Sequence, residues 1–292
     1  MPRLALSLVL ISTFMHAGWN LVVRSQRREA ACIWRALVVI AVIGFVPALA
    51  SELATRSLTP KAWLCVFGSG FFCGLYYLGL ARGYASSDFT VVYPLVRALP
   101  VLLVGMADVM LGRSPTPAGW LGMLLVVCGC VLAPLSSFRE IALARYANRT
   151  VLLVLVAAFG TVGYTLLDKA AAEVVQQGPA TAARYGYVFF LVSSATYGGL
   201  LRVFKTAQPA ADSVAWRVAA AVGVLNFTGY WLVLWAYQLS RRASYVVAFR
   251  QFSIVIGVVL AFALFRERGL KVRMAATVLI TAGLLLIGLW GI

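Results

Sequence analysis

Apolar residues run along this chain in blocks of about 20, separated by short polar and basic segments. The blocks fall at about 3–24, 32–51, 61–82, 88–111, 116–136, 150–169, 182–204, 214–238, 243–265 and 271–291. A helix needs roughly 20 apolar residues to cross the hydrocarbon core, so the pattern predicts ten transmembrane helices in an all-α, polytopic membrane protein. Continuous blocks exclude an outer-membrane barrel, whose strands alternate in segments of about 10 residues. The longest polar connection, 136–150 (SSFREIALARYANRT), falls near the middle of the chain.

The two sides of that connection resemble each other. Phe14-Met-His-Ala-Gly18-Trp19-Asn20 matches Phe159-Gly-Thr-Val-Gly163-Tyr164-Thr165, and Arg35 matches Arg184. Phe72-Cys-Gly74-Leu-Tyr76 matches Phe227-Thr-Gly229-Tyr230-Trp231, Arg97 matches Arg250, and 124–132 (LLVVCGCVL) matches 278–286 (VLITAGLLL). The matches keep their order and each of the first four includes a polar, charged or glycine position, as a duplicated unit requires. Two repeats follow, 1–140 and 141–292. Five spans return the chain on the opposite face, so the second repeat is inverted relative to the first. Inverted repeats commonly build carriers whose site lies at the repeat interface near the midplane.

Composition narrows the class. Of 292 residues 62% are hydrophobic and 12% charged, and the mean hydropathy is +0.92. That is far from a soluble domain's balance. The net charge of +16 could signal nucleic acid, but most Lys and Arg lie in short connections between apolar blocks. Membrane insertion itself produces that placement. No nucleic-acid partner is expected. Cys32, Cys65, Cys73, Cys128 and Cys130 show no metal-ligand or disulfide spacing and read as packing residues. The N-terminal apolar run reaches the polar cluster at His16–Asn20 without a small-residue cleavage site, so it reads as a retained first helix. No acid pair, Ser-His-Asp set or phosphate loop appears, so neither an enzyme nor a cofactor is expected.

Arg97 and Arg250 are the candidate chemistry. A charge at bilayer depth costs ~2.5–3.5 kcal/mol on insertion scales, so it faces a cavity or a partner. A guanidinium offers a fork of donors to carboxylate or phosphate. The bland alternative neutralises each inside the protein, Arg97 by Asp108 or Asp88 and Arg250 by carbonyls or Gln251. Pro94 and Pro100 flank Arg97 and are expected to loosen its helix. His16 and Asn20 lie one turn apart on one face with Trp19 beside them, and either contact substrate or hold helices together. Tyr76, Tyr164, Tyr230 and Trp231 are candidate aromatic walls, against the alternative of interfacial belts. With Gln251, these ten residues form the expected substrate-contacting set. Arg35, Arg184 and the Asp168-Lys169 pair read as interfacial groups at helix ends.

The repeat, the HAGWN run at 16–20 and the helix-pair ends LGR…GWLGMLLVVCGCVL and FRER…AATVLITAGLLL resemble the EamA branch of the drug/metabolite transporter superfamily. The resemblance covers essentially the whole chain. It implies a multi-pass carrier of the bacterial inner membrane, often an exporter of amino acids or other small metabolites, working by alternating access around a cavity between helices 1, 3, 4 and 6, 8, 9. The family's Gly-Glu after helix 4 is Gly112-Arg113 here, and Arg266-Glu267 follows helix 9. A small, partly anionic metabolite, membrane lipids and a monomer or weak homodimer are the expected associations. Two alternatives remain beside it: a lipid flippase or lipid-modifying protein, and an exporter of hydrophobic drugs whose arginines are structural. Lys and Arg concentrate after helices 1, 5, 7 and 9, which places both termini outside the cytoplasm, whereas the resemblance places them inside.

Overall fold

Inside a bilayer every backbone N–H and C=O must be satisfied within its own segment, so long apolar runs become helices. The computed structural model describes residues 1–26, 28–85, 89–135, 137–138, 149–204, 214–265 and 269–291, and contains no strand among them. The helices are α1 (Arg3–Ser25), α2 (Glu29–Thr55), α3 (Pro60–Ala85), α4 (Phe89–Met110), α5 (Pro117–Leu132) and α6 (Arg149–Ala172). They continue with α7 (Pro179–Val203), α8 (Trp216–Leu239), α9 (Ala243–Arg250), α10 (Phe252–Phe265) and α11 (Leu270–Trp290). Among the described residues, six stretches are long and apolar enough to cross a membrane, and α5 is a shorter apolar helix. The connection at 139–148, with the expected divide between repeats, and Asp88 and Glu267 lie outside the described residues.

The block expected as one helix over 243–265 is interrupted, which corrects that expectation. The ladder breaks at Gln251, whose N–H bonds Ala248 O at 3.0 Å, while Ile254 N bonds Gln251 O at 2.9 Å. Both are three-residue steps in place of the α-helical four. The block contains no proline. By contrast α4 runs through Pro94 and Pro100 as one helix.

Helix pairing respects the exchange of halves. The α3–α6 contact has its mate in α1–α8, α3–α7 in α2–α8, and α4–α6 in α1 with α9 and α10. The α2–α7, α5–α11 and α4–α9 contacts are their own mates. That is the pattern a two-fold axis between two like units leaves. Glycines permit the closest approach. A Cβ on Gly122 of α5 would stand 2.6 Å from the Gly283 carbonyl of α11. Outward positions stay apolar, with Val46 71%, Leu64 76% and Met110 87% exposed. Such a surface is matched to acyl chains and not to water.

Candidate functional site

A cavity of about 30 Å³ sits where α1, α3, α6, α7, α8 and α9 meet. Its lining is mixed: Ser12, Thr13, His16 and Trp19 from α1, Cys73, Tyr76 and Tyr77 from α3, Tyr164 from α6 and Phe189 and Phe190 from α7. Asn226, Gly229, Tyr230 and Val233 of α8 and Arg250 of α9 complete it. That volume holds about two waters. The helices must separate before an organic molecule fits.

Arg97 reaches the second half of the chain. Its Nη1 lies 2.8 Å from His16 Nε2, and its Nη2 donates to the Ser253 hydroxyl and, at 3.4 Å, to the Arg250 carbonyl. The break after Arg250 gives that carbonyl to side chains: Ser253 Oγ also donates to it, at 2.9 Å. Asp108, suggested above as a partner for Arg97, is committed elsewhere. It is fully buried and accepts from the backbone N–H groups of Ala243 and Ser244, at 3.4 and 2.9 Å. Those are first-turn donors of α9, which a carboxylate caps well.

Arg250 is arranged differently. It lines the cavity, with its guanidinium carbon 5.4 Å from the Tyr230 ring centroid and Tyr164 in the same cavity wall. A cation over an aromatic face is attracted by the ring quadrupole. Among the described residues no carboxylate forms an ion pair with it within 4.0 Å.

The other expected residues divide. His16 lies with Nδ1 3.2 Å from the Trp19 indole nitrogen and Nε2 2.8 Å from Arg97 Nη1, and a neutral ring accepts at only one of the two nitrogens. A doubly protonated ring, which donates at both nitrogens, finds no acceptor there. Tyr76, Tyr164, Tyr230 and Trp19 stand in the cavity wall with His16 and Arg250. Asn20 is outside that lining and donates to the His16 carbonyl at 2.8 Å. Gln251 is buried at the helix break, its Nε2 on the Val247 carbonyl at 3.1 Å. Trp231 also stands apart: its N–H donates to the Pro179 carbonyl at 2.8 Å and its ring stacks on Trp235.

Two readings of helix-end charges are corrected. Asp168 and Lys169 are not an interfacial pair, being 1% and 4% exposed. Lys169 donates to the Tyr237 carbonyl at 3.1 Å and pairs with Glu173 at 3.1 Å. Asp168 accepts from Tyr185 Oη at 2.8 Å and from the hydroxyls of Ser69 and Tyr230. An acidic residue within the apolar run of α6 was the available signal, since intramembrane carboxylates mark function by default. Arg184 and Arg35 do not simply snorkel to water. Arg184 pairs with Glu52 at 3.4 Å and donates to Ser51, Ser57 and Thr181, tying α7 to α2. Arg35 donates to the Val214 carbonyl and lies over Trp216.

The end of the bundle that carries both termini is laced shut across the two halves. Arg113 pairs with Glu173 at 2.6 Å, and Arg242 donates to the carbonyls of Arg113, Ser114 and Gly291. The Thr116 N–H and hydroxyl reach Tyr245 Oη and the Trp290 carbonyl. A separate groove of about 410 Å³ lies between α2, α7 and α8, lined by Val39, Ile40, Ile43, Pro47, Tyr187, Val224 and Phe227, with Ser51 and Arg184 among its few polar groups. Exposed Ile43 and Val224 open it to the outer surface. Neither Arg97 nor Arg250 lines it.

Two halves related by exchange, outward apolar faces and a buried polar centre describe a two-repeat membrane protein. The model of the EamA-like transporter family matches residues 3–134 and matches again over 148–289. The chain belongs to the EamA-like transporter family and is a multi-pass membrane protein. Among curated proteins none matches it. A solved crystal structure is similar over 100% of this chain and 98% of its own, with a TM-score of 0.74 at 17% identity. That likeness concerns the fold.

Proposed function

We propose that this chain is a secondary carrier of small, partly anionic metabolites such as amino acids or organic acids, acting as an exporter in the bacterial inner membrane. Ten spans, counting α9 and α10 as one interrupted span, form two inverted five-helix repeats that rock about the central cavity in alternating access. Arg250 is the group that receives the anion. Arg97 positions it, by holding the Arg250 carbonyl and Ser253 from the opposite half.

The observation that carries this reading is a guanidinium lining an aromatic, hydroxyl-rich cavity with no carboxylate in ion-pairing reach among the described residues. A buried charge left without a counter-ion is costly, so a site that keeps one is poised for an anionic ligand. Tyr164, Tyr230, Tyr76 and Trp19 enclose it. They offer apolar walls with few directed polar groups, as sites for organic molecules do. The small cavity and the laced termini end suit a state closed on that side. The test is uptake by proteoliposomes across amino acids, organic acids and phosphonates, in wild type and Arg250→Ala. Transport unchanged by the substitution overturns the reading.

One observation favours a second reading, lipid handling: the lateral apolar groove between α2, α7 and α8, with Arg184 in its wall. Its chemistry suits an acyl chain. A fluorescent-lipid scrambling assay separates the two, since lipid handling through this groove is lost on Val224→Trp and unaffected by Arg250→Ala.

A further inference from the structure

The carboxylate of Asp168 is the buried ionisable group for which solute binding at Arg250 leaves no role. Among the described residues, the groups that hydrogen-bond to its side chain are all hydroxyls. Oδ1 takes the Tyr185 phenol at 2.8 Å together with the Ser69 hydroxyl, and Oδ2 takes the Tyr230 phenol. Ser69 is further held near the Tyr164 carbonyl, at 3.4 Å. Four helices thus meet at one carboxyl: α3, α6, α7 and α8.

Hydroxyls have a property that N–H donors lack. Each can donate to a carboxylate or, by rotating about its C–O bond, accept from a carboxylic acid. The cluster therefore satisfies Asp168 with or without its proton and with no displacement of heavy atoms. A backbone N–H cap suits only the ionised form. Asp108 has such a cap from α9.

The Tyr230 ring joins this cluster to the solute site. Its hydroxyl is on Asp168 and its face is 5.4 Å from the Arg250 guanidinium carbon, and Arg250 lies within electrostatic reach of Asp168. The other titratable groups within electrostatic reach of Asp168 are Cys65 and Cys73 on α3 and Tyr237 on α8, and its chain neighbour is Lys169. Lys169 is matched by Glu173 at 3.1 Å. In the empty carrier Arg250 has no ion pair among the described residues, and its charge acts on the Asp168 carboxylate only across the Tyr230 ring. A bound anion takes over the Arg250 charge, and the carboxylate is left uncompensated where charge is costly. One proton on Asp168 removes that charge.

We infer that Asp168 is a proton-binding site loaded together with the anion, so that the carrier moves an anionic group and a proton in the same direction, outward where the outward gradient of the anion outweighs the inward proton gradient. The inference rests on the reading of Arg250 as the anion-binding group. Linkage makes the coupling reciprocal: the anion favours the proton as much as the proton favours the anion. For a monoanion the loaded cycle is electroneutral.

The experiment is calorimetric titration of the purified full chain in detergent with sodium glutamate, malate, benzoate and phosphate. Each titration is run at a series of pH values and in two buffers of different ionisation enthalpy. The expected result is uptake of about one proton per anion bound, and affinity falling about tenfold per pH unit on the alkaline limb. In Asp168→Asn the anion binds with affinity independent of pH and without that proton. Tyr230→Phe keeps the ring beside Arg250 but removes one hydroxyl from the carboxylate, so the alkaline limb moves to higher pH; this variant serves if Asp168→Asn does not fold. Arg250→Ala abolishes binding at every pH. Binding that depends on Arg250 while the alkaline limb persists in Asp168→Asn, or stays in place in Tyr230→Phe, overturns the proton site and leaves the anion site standing. No binding of any of the four by wild type, or equal binding by Arg250→Ala, overturns the anion site and the inference with it.

Discussion

Arg97 and Arg250 occupy matching places in the two repeats, yet the helices around them behave in opposite ways. The helix with two prolines, α4, is continuous through its arginine, while the block with none breaks one residue after its own. A proline removes one donor and crowds one turn, which a helix packed on several neighbours tolerates. Interruption at Gln251 is matched by what receives the Arg250 carbonyl, namely Ser253 and the Arg97 guanidinium. The arginine on the continuous helix thus serves the break in the other. The arginine at the break stays in the cavity. Duplication supplied two equal charges and tertiary contacts assigned them different work.

Substitutions at the two arginines give the largest expected effects, and in opposite directions. Arg250→Met lowers kcat/KM for anion uptake by about 100-fold, because charge-assisted hydrogen bonds are lost. It leaves stability equal or raised, because a buried charge is removed. Arg97→Met destabilises the protein by about 3 kcal/mol, seen as a lower melting temperature in detergent, since the Ser253 hydroxyl and the Arg250 carbonyl each lose a charged donor. Equal stability changes at the two positions would dissolve the contrast.

The flanking groups sharpen it further. Asp108→Ala leaves the first N–H groups of α9 uncapped and costs about 1–2 kcal/mol in denaturant melts. Ser253→Ala costs about 1 kcal/mol and, by freeing Arg97, reduces uptake more than its stability loss predicts. Pro100→Ala is the smallest: a change under about 0.5 kcal/mol, because α4 already runs straight through that position. A large effect there would return the mechanical role to the prolines.

Much of the site was legible residue by residue. Arg97, Arg250 and His16 declare themselves as polar groups in apolar blocks, where cost alone argues for a use. Trp19 and Tyr164 are repeat mates and both line the cavity, whereas the repeat pairs Tyr76 with Trp231 and leaves Tyr230 opposite Leu75. Trp231 was expected beside Tyr230, but neighbours in a helix point about 100° apart. It reaches Pro179 instead. Asp168 was hidden by its place four residues before the end of α6, where a charge reads as interfacial. Only the arrival of Tyr185, Tyr230 and Ser69 from three other helices makes it a buried centre.

By itself the sequence determined the helices, the duplication and the presence of paired intramembrane arginines. Hydrophobic length and backbone self-satisfaction are local requirements, and a repeat is visible wherever it occurs. Which arginine faces the cavity, where the ninth block breaks and which carboxyl is buried were decided by tertiary structure alone. Each depends on groups brought together from opposite halves of the chain, and spacing along the sequence carries no record of those meetings.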